Sequence, residues 1–343
     1  MTTHEWFKQA KYGLMVHFGL YSMLGGEYKG KRCTSYAEWG QSYFAIPNKE
    51  YEALAKVFNP LYFNADEWIS LAKRCGMEYF VITSKHHEGF ALFQSDADPF
   101  NMKDATAFGR DIIAELAESC YKHGIRFGLY YSQELDWHHP HGGGYDKNAD
   151  YCAGQGWYNC WDFPGTENKN FTICFEEKIK PQVKEILTKY GDLCLIWFDT
   201  PGVISPAQSK ELFDMVKQYQ PDCLINSRLG NGVYDYVSFG DNEIPENLPT
   251  LDPDQTEIDL NDINGFKYSP YNLYETAATM NDSWGFKYFD HNWKKPETIL
   301  QNKKHLNDLG INYLLNVGPD GLGRIPSFSE EILLKVAEME GRL

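Results

Sequence analysis

Eight times along this 343-residue chain a short apolar run of strand length ends on a polar tip, and most of these runs are followed by a segment of helical periodicity. That alternation leaves few folds open, because repeated strand-helix units build a parallel sheet covered by helices, either closed as a barrel or open and doubly wound. The best-marked run is Asp192-Leu193-Cys194-Leu195-Ile196-Trp197-Phe198-Asp199. It reads as a buried parallel strand, and alternation puts Leu195, Trp197 and Asp199 on one face. Ligands of parallel α/β proteins sit at the carboxyl ends of strands, so Asp199 reads as chemistry, or, more plainly, as a cap for the next loop or helix.

The other runs predict strands over 11–20, 78–84, 126–132, 222–228, 234–238, 273–276 and 311–317. Helices are expected over 65–75, with Asn64 as N-cap, and over 110–123, closed by Gly124; others fall at 175–190, 206–220, 296–309 and 328–339. A loop over 133–170, rich in Gly, His, Trp and Tyr, is long enough to build or cover a site. The pattern predicts an α/β chain folded as one (β/α)8 TIM-like barrel over residues 1–343, irregular in its second half. An open doubly wound sheet is the alternative, but no Gly-rich phosphate fingerprint follows any early strand. The Gly-rich stretch Gly318-Pro319-Asp320-Gly321-Leu322-Gly323 comes after the last strand and lacks the Lys-Ser/Thr of a phosphate loop.

A net charge of -16 argues against nucleic-acid or anionic-membrane partners, which require clustered Lys and Arg. No apolar run is long enough to cross a membrane, and the N-terminus lacks the apolar core of a signal peptide, so a soluble, cytoplasmic protein is expected. Cys75, Cys120, Cys194 and Cys223 fall in apolar patterns without zinc-site spacing, which predicts reduced structural thiols. Aromatic residues form 15% of the chain, and many flank polar residues near strand ends, as where sugar faces stack on rings. A neutral or cationic partner fits this surface better, and a homo-oligomer stays open.

The strand tips carry His17, His86 and His87, Tyr131, Trp197 with Asp199, Arg228, Asp241 with Glu243, and Glu275. A barrel points all of them at one volume. Histidines, one arginine, flat rings and several carboxylates suit a sugar. Cleaving a glycosidic bond needs two carboxyl groups, about 5 to 5.5 Å apart for retention of configuration. Asp199 is the strongest first member, and the second comes from Asp241, Glu243, Glu246 or Glu275, among which spacing does not choose. Plainer readings stand beside these: His17 as a satisfied strand histidine, His86 and His87 bonding backbone carbonyls, and Arg228 neutralising Glu275.

Lys11-Tyr12-Gly13 through His17-Phe18-Gly19, Glu38-Trp39, Lys85-His86-His87-Glu88-Gly89-Phe90, Ile196-Trp197-Phe198-Asp199, Ser283-Trp284-Gly285-Phe286 and Asn312-Tyr313-Leu314-Leu315-Asn316-Val317-Gly318-Pro319 run in order along the chain. This set resembles the α-L-fucosidases of glycoside hydrolase family twenty-nine, in the short bacterial form without the C-terminal β-sandwich of many relatives. The resemblance implies a retaining exo-hydrolase of terminal α-L-fucose. It makes Asp199 the nucleophile and maps the sugar pocket onto His17, Glu38, Trp39, His86, His87, Tyr131, Trp197, Arg228 and Trp284. Asp241 is the expected acid/base, followed by Glu243 and then Glu275. A preference for fucose α-1,6-linked to N-acetylglucosamine is a further expectation. No cofactor or metal is implied. Two other classes are carried along: a metal-dependent hydrolase, suggested by the clustered histidines including His138, His139 and His141, and a fucose-binding protein that has lost catalysis.

Overall fold

The structure is a computed structural model that describes residues 2–145, 158–249 and 268–343. Residues 146–157 of the long loop and 250–267, between the sixth and seventh strands, lie outside the described residues. Eight parallel strands make one curled sheet: β1 Tyr12–Val16, β2 Tyr79–Lys85, β3 Arg126–Ser132, β4 Leu195–Asp199, β5 Leu224–Ile225, β6 Val237–Ser238, β7 Tyr274–Thr279 and β8 Ile311–Val317. Their hydrogen-bonded order is β5-β4-β3-β2-β1-β8-β7-β6. The two edges meet through a single parallel bridge, Asn226 to Tyr236, so the sheet closes towards a barrel. The expected irregularity of the second half is present, since β5 and β6 have two residues each.

The principal helices are α1 Thr3–Ala10, α2 Ala65–Arg74, α3 Ile112–His123, α4 Lys180–Lys189, α5 Pro206–Tyr219, α6 Pro296–Asp308 and α7 Ser327–Met339. Their limits follow from local chemistry. The Asn64 side chain accepts from the amides of Asp66 and Glu67 to start α2, and Gly124, at φ +63°, ends α3. Ser205 and Gln208 form a capping box on α5, with Pro206 in its first turn.

Apolar side chains fall into two clusters. The larger lies between sheet and helices; the smaller fills the barrel with Met15, Tyr79, Val81, Tyr130, Leu195, Trp197, Leu224, Ala277 and Leu314. The interior is crowded enough to demand glycine at Gly13, where a Cβ would come within 2.6 Å of the Tyr79 ring. Helix α1 plugs the amino end of the barrel, with the Phe7 ring tilted against that of Tyr236 at 4.8 Å between centroids. The opposite, carboxyl end is left for the loops. There the pairing of β2 with β3 shifts register between Thr83 and Lys85, just before His86 and His87.

Candidate active site

At the carboxyl end of the barrel a cavity of about 200 Å3 is lined by Met15, His17, Tyr36, Glu38, Trp39, His86, His87, Tyr130, Trp197, Asp199, Thr200, Arg228, Asp241 and Trp284. A larger groove of about 790 Å3 opens at the amino ends of β3, β4 and β5, but it gathers no comparable set of polar groups. Ten of the eleven residues expected first at the site therefore come together: Asp199, Asp241, His17, Glu38, Trp39, His86, His87, Trp197, Arg228 and Trp284.

Tyr131 is the correction among the sugar contacts. It points outward and donates to Gln182 Oε1 at 2.9 Å, while Tyr130 faces the cavity and donates to Asp199 Oδ2 at 2.7 Å. Strand alternation explains the difference: Tyr130 pairs with Trp197 across the parallel ladder, so both look into the barrel. The parity of Leu195, Trp197 and Asp199 was the available signal. Tyr36, Met15 and Thr200 were also missed, and local sequence gives no equivalent clue to them.

The runners-up to Asp241 lie elsewhere. Glu243 folds back on its own turn, accepting from the Gly240 amide at 2.9 Å. Glu275 is fully buried beneath the cavity, accepting from Tyr79 at 2.7 Å and from Trp197 Nε1 at 2.9 Å. Burial pushes its carboxyl up to about 7. It sets the tilt of Trp197, and it is not the partner of Arg228.

Arg228 instead spans the two exposed-edge carboxylates. Nη1 donates to Asp199 Oδ1 at 3.1 Å and Nη2 to Asp241 Oδ1 at 2.5 Å. The arginine side chain is 3% exposed, Asp199 14% and Asp241 40%, so Asp241 is the outermost of the three. Burial alone would weaken the guanidinium charge, but Asp241 and Asp199 more than offset it and raise its pKa. The ring of Trp197 lies 4.6 Å from the guanidinium and stacks at 5.5 Å on Tyr130. The backbone around these groups is tightly set: Asn226 trades two side-chain bonds with Phe198, and Thr200 sits at φ +57° directly after Asp199.

Burial disfavours the charged form of all three histidines, and the tautomers of His17 and His87 can be deduced. Burial lowers His17 to about 4 and holds His86 and His87 well below the usual range. Asn316 Nδ2 donates to the Trp284 carbonyl at 2.7 Å, so its Oδ1 must accept from His17 Nδ1, also at 2.7 Å. Ser132 Oγ donates to the Leu135 carbonyl at 2.9 Å and so accepts from His87 Nδ1 at 2.7 Å. In both rings Nε2 is left as a hydrogen-bond acceptor. Glu38 Oε2 accepts from the Gly285 amide at 2.8 Å, and burial pushes this carboxyl up to about 7. Glu38 Oε1, His86 Nδ1 and Arg228 Nε are buried without a protein partner. Buried polar atoms are normally paired, so this trio suits a ligand bearing several hydroxyls.

Behind the histidines a buried ion network ties the loops after β2 and β3. Lys178, on a π-turn at Phe175–Ile179, reaches Asp98 at 2.5 Å and Asp136 at 2.8 Å, and Lys85 meets Asp136 at 3.0 Å. Burial would raise Asp136, but Lys178 and Lys85 hold it far below the carboxylate range. His138, His139 and His141 take up other work: His138 bonds Glu52 at 2.9 Å, His139 lies 3.7 Å from Glu177, and His141 accepts from the Asn170 amide at 3.1 Å. Among the described residues no three His, Cys, Asp or Glu side chains are arranged to hold a metal ion. Six described cysteines are free and buried, the expected Cys75, Cys120, Cys194 and Cys223 among them, and Cys160, for which no expectation was made, is disulfide-bonded. No helix among the described residues is long and apolar enough to cross a membrane.

The unliganded alpha-L-fucosidase AlfC from Lactobacillus casei is 56% identical, with a TM-score of 0.90 over 99% of this chain and 98% of that one. An AlfC variant in complex with Fuca(1,6)GlcNAc is 55% identical, with a TM-score of 0.89 over the same shares of both chains. A putative alpha-L-fucosidase of Caenorhabditis elegans is 26% identical over 97% of this chain and 64% of its own length. The tissue alpha-L-fucosidase of Rattus norvegicus is likewise 26% identical, over 97% of this chain and 67% of its own length. The chain thus spans about two thirds of the length of these curated relatives. The sequence model of the family described as Alpha-L-fucosidase matches residues 1–339, and with these relatives it shows that the chain belongs to the alpha-L-fucosidase family of glycoside hydrolases.

Proposed function

We propose that the protein is an exo-acting, retaining α-L-fucosidase with its single catalytic domain in this barrel. The observation that carries the reading is the pair Asp199 and Asp241 held on adjacent nitrogens of one buried guanidinium at the mouth of a sugar-sized cavity. That compact arrangement favours the short carboxyl separation of retaining enzymes, about 5 to 5.5 Å, over the wider inverting one.

In this reading Asp199 attacks the anomeric carbon from the β face while Asp241 gives its proton to the departing glycosidic oxygen. The C–O bond breaks and a fucosyl ester forms on Asp199. Asp241, now ionised, takes a proton from water, which attacks the same carbon and releases Asp199 with net retention. Tyr130 and Arg228 orient Asp199 and steady its carboxylate as it departs from the ester. His17 and His87 accept from fucose hydroxyls through Nε2, Glu38 and Arg228 bind others, and Trp39, Trp197 and Trp284 crowd the C5 methyl. A preference for fucose α-1,6-linked to N-acetylglucosamine is supported by the relative AlfC, whose variant was solved with that disaccharide.

The test follows phenol release from an aryl α-L-fucoside by the parent, Asp199→Ala and Asp241→Ala, with and without azide. Release by the parent, its near-abolition in Asp199→Ala, and rescue giving a β-fucosyl azide from Asp199→Ala and an α-fucosyl azide from Asp241→Ala are expected. Rescue that appears in Glu243→Ala or Glu275→Ala instead of Asp241→Ala would move the acid/base. No release by the parent would leave a fucose-binding protein.

A further inference from the structure

The loop that carries Asp241 is fastened to β7 through the residue that follows. Asn242 sits in the left-handed region at φ +60°, a conformation that Asn tolerates better than most residues. Its amide donates to the Ala277 carbonyl at 3.0 Å. Its side-chain Oδ1 faces three donors: the Thr279 amide at 2.9 Å, Thr279 Oγ1 at 3.1 Å and Lys294 Nζ at 3.4 Å. The Thr279 hydroxyl has one proton, and its 2.5 Å contact with the Asn281 carbonyl claims it. That leaves the Thr279 amide and the Lys294 ammonium as the donors that hold the Asn242 side chain.

Lys294 is itself fixed at both ends. Its amide donates to the Met280 carbonyl at 2.7 Å, and its ammonium donates to the Thr279 carbonyl at 2.5 Å. The ammonium thus bridges the end of β7 and the Asp241 loop. An aspartate has a single methylene between backbone and carboxyl, so its reach cannot make up for a drift of the loop. Asp241 is the most exposed member of the Arg228 triad, and among the described residues the hydrogen bond that holds its carboxylate comes from that arginine.

We propose that Lys294 is a positioning residue for the acid/base carboxylate, acting through Asn242 and Thr279. The inference rests on the reading of Asp241 as the acid/base. Lys294 touches neither the cavity nor Arg228, so it acts on the placement of the proton donor and not on sugar binding.

The experiment compares Lys294→Met, Lys294→Arg and Asp241→Asn with the parent on two fucosides, one with a highly acidic phenol as leaving group and one with a sugar or alkyl alcohol. Only the second needs the proton. Lys294→Met should lose about ten- to a hundredfold in kcat/KM on the alkyl or sugar fucoside, the scale on which a misplaced catalytic group is felt. On the acidic phenol it should stay within about threefold, because that step draws little on the general acid. Lys294→Arg should recover most of the loss, and inhibition by free fucose should be unchanged in both Lys294 variants. Equal losses on both substrates, or none on either, would overturn the proposal. Asp241→Asn separates the two readings: leaving-group dependence there without any in Lys294→Met refutes only the role of Lys294, and its absence in Asp241→Asn refutes the acid/base assignment itself. If Lys294→Met does not fold, Lys294→Gln, which keeps a donor without the charge, carries the same comparison.

Discussion

Removing one oxygen from Tyr130 should slow the reaction without loosening the fold, and removing one from its neighbour Tyr131 should do the reverse. Tyr130 donates to Asp199 at 2.7 Å, a hydrogen bond to an ionised acceptor, and such bonds contribute about 1.5 to 3 kcal/mol. Lost in Tyr130→Phe, that interaction no longer orients the nucleophile or stabilises the carboxylate as it leaves the fucosyl ester. At about 1.36 kcal/mol per factor of ten, kcat should fall roughly ten- to 150-fold. Asp199 keeps its Arg228 bond and is partly exposed, so thermal stability should change little. Tyr131→Phe deletes a bond between neutral groups and leaves Gln182 Oε1 buried with one donor fewer, a loss of about 1 to 3 kcal/mol in folding free energy. Its kcat/KM should stay within about twofold, since Tyr131 faces away from the cavity. Steady-state kinetics on an aryl fucoside and urea denaturation of both variants make the comparison. A catalytic loss in Tyr131→Phe with none in Tyr130→Phe would show that the ladder register, and with it the inner face of β3, is misassigned.

Two further outcomes follow from the buried titratable groups. Burial raises Glu38 and Glu275 to about 7 and Glu88 and Glu134 to about 8, from 4.5, so the folded chain keeps protons that the unfolded chain releases. Stability should therefore fall as pH rises through that range; the depressed histidines work in the opposite sense, but only below about 6.5, where an unfolded histidine takes up its proton. A melting temperature that is flat or rising between pH 6.5 and 8.5 would contradict these burial effects. Asn316→Asp should set a carboxylate against His17 Nδ1 and raise the pKa of that ring from about 4, turning Nε2 into a donor on protonation. The acid side of its KM profile should then move to higher pH, and an unchanged profile would refute the assigned tautomer.

Local rules made much of this fold legible. Strands β3 and β8 and the Asn64 cap of α2 occur where periodicity and capping chemistry predict them, because both are set by neighbours in sequence. The gathering of His17, His86, Trp197, Asp199 and Arg228 was legible for a related reason, since a parallel barrel points every strand tip at one volume. What the sequence hid depends on contacts distant along the chain. Strands β5 and β6 shrink to two residues each, and beside β5 the Asn226 side chain takes up both polar groups of Phe198. Glu275 looked like a rim acid, but the bonds that draw it under Trp197 come from Tyr79 and Trp197 itself. Lys178 gives no local sign that a π-turn will send it to Asp136, and the left-handed Thr200 breaks the usual rule for a β-branched residue.

The central claim is that Asp199 carries the sugar between the two halves of a double displacement. Incubation with a 2-deoxy-2-fluoro-α-L-fucosyl fluoride, whose good leaving group admits the first step while the fluorine slows the second, tests it most directly by mass spectrometry of the intact and digested protein. The account predicts one fluorofucosyl group per chain, mapped to the peptide that ends the β4 strand and lost in Asp199→Ala. A label on another carboxylate, or steady turnover of this reagent with no label at all, would contradict it.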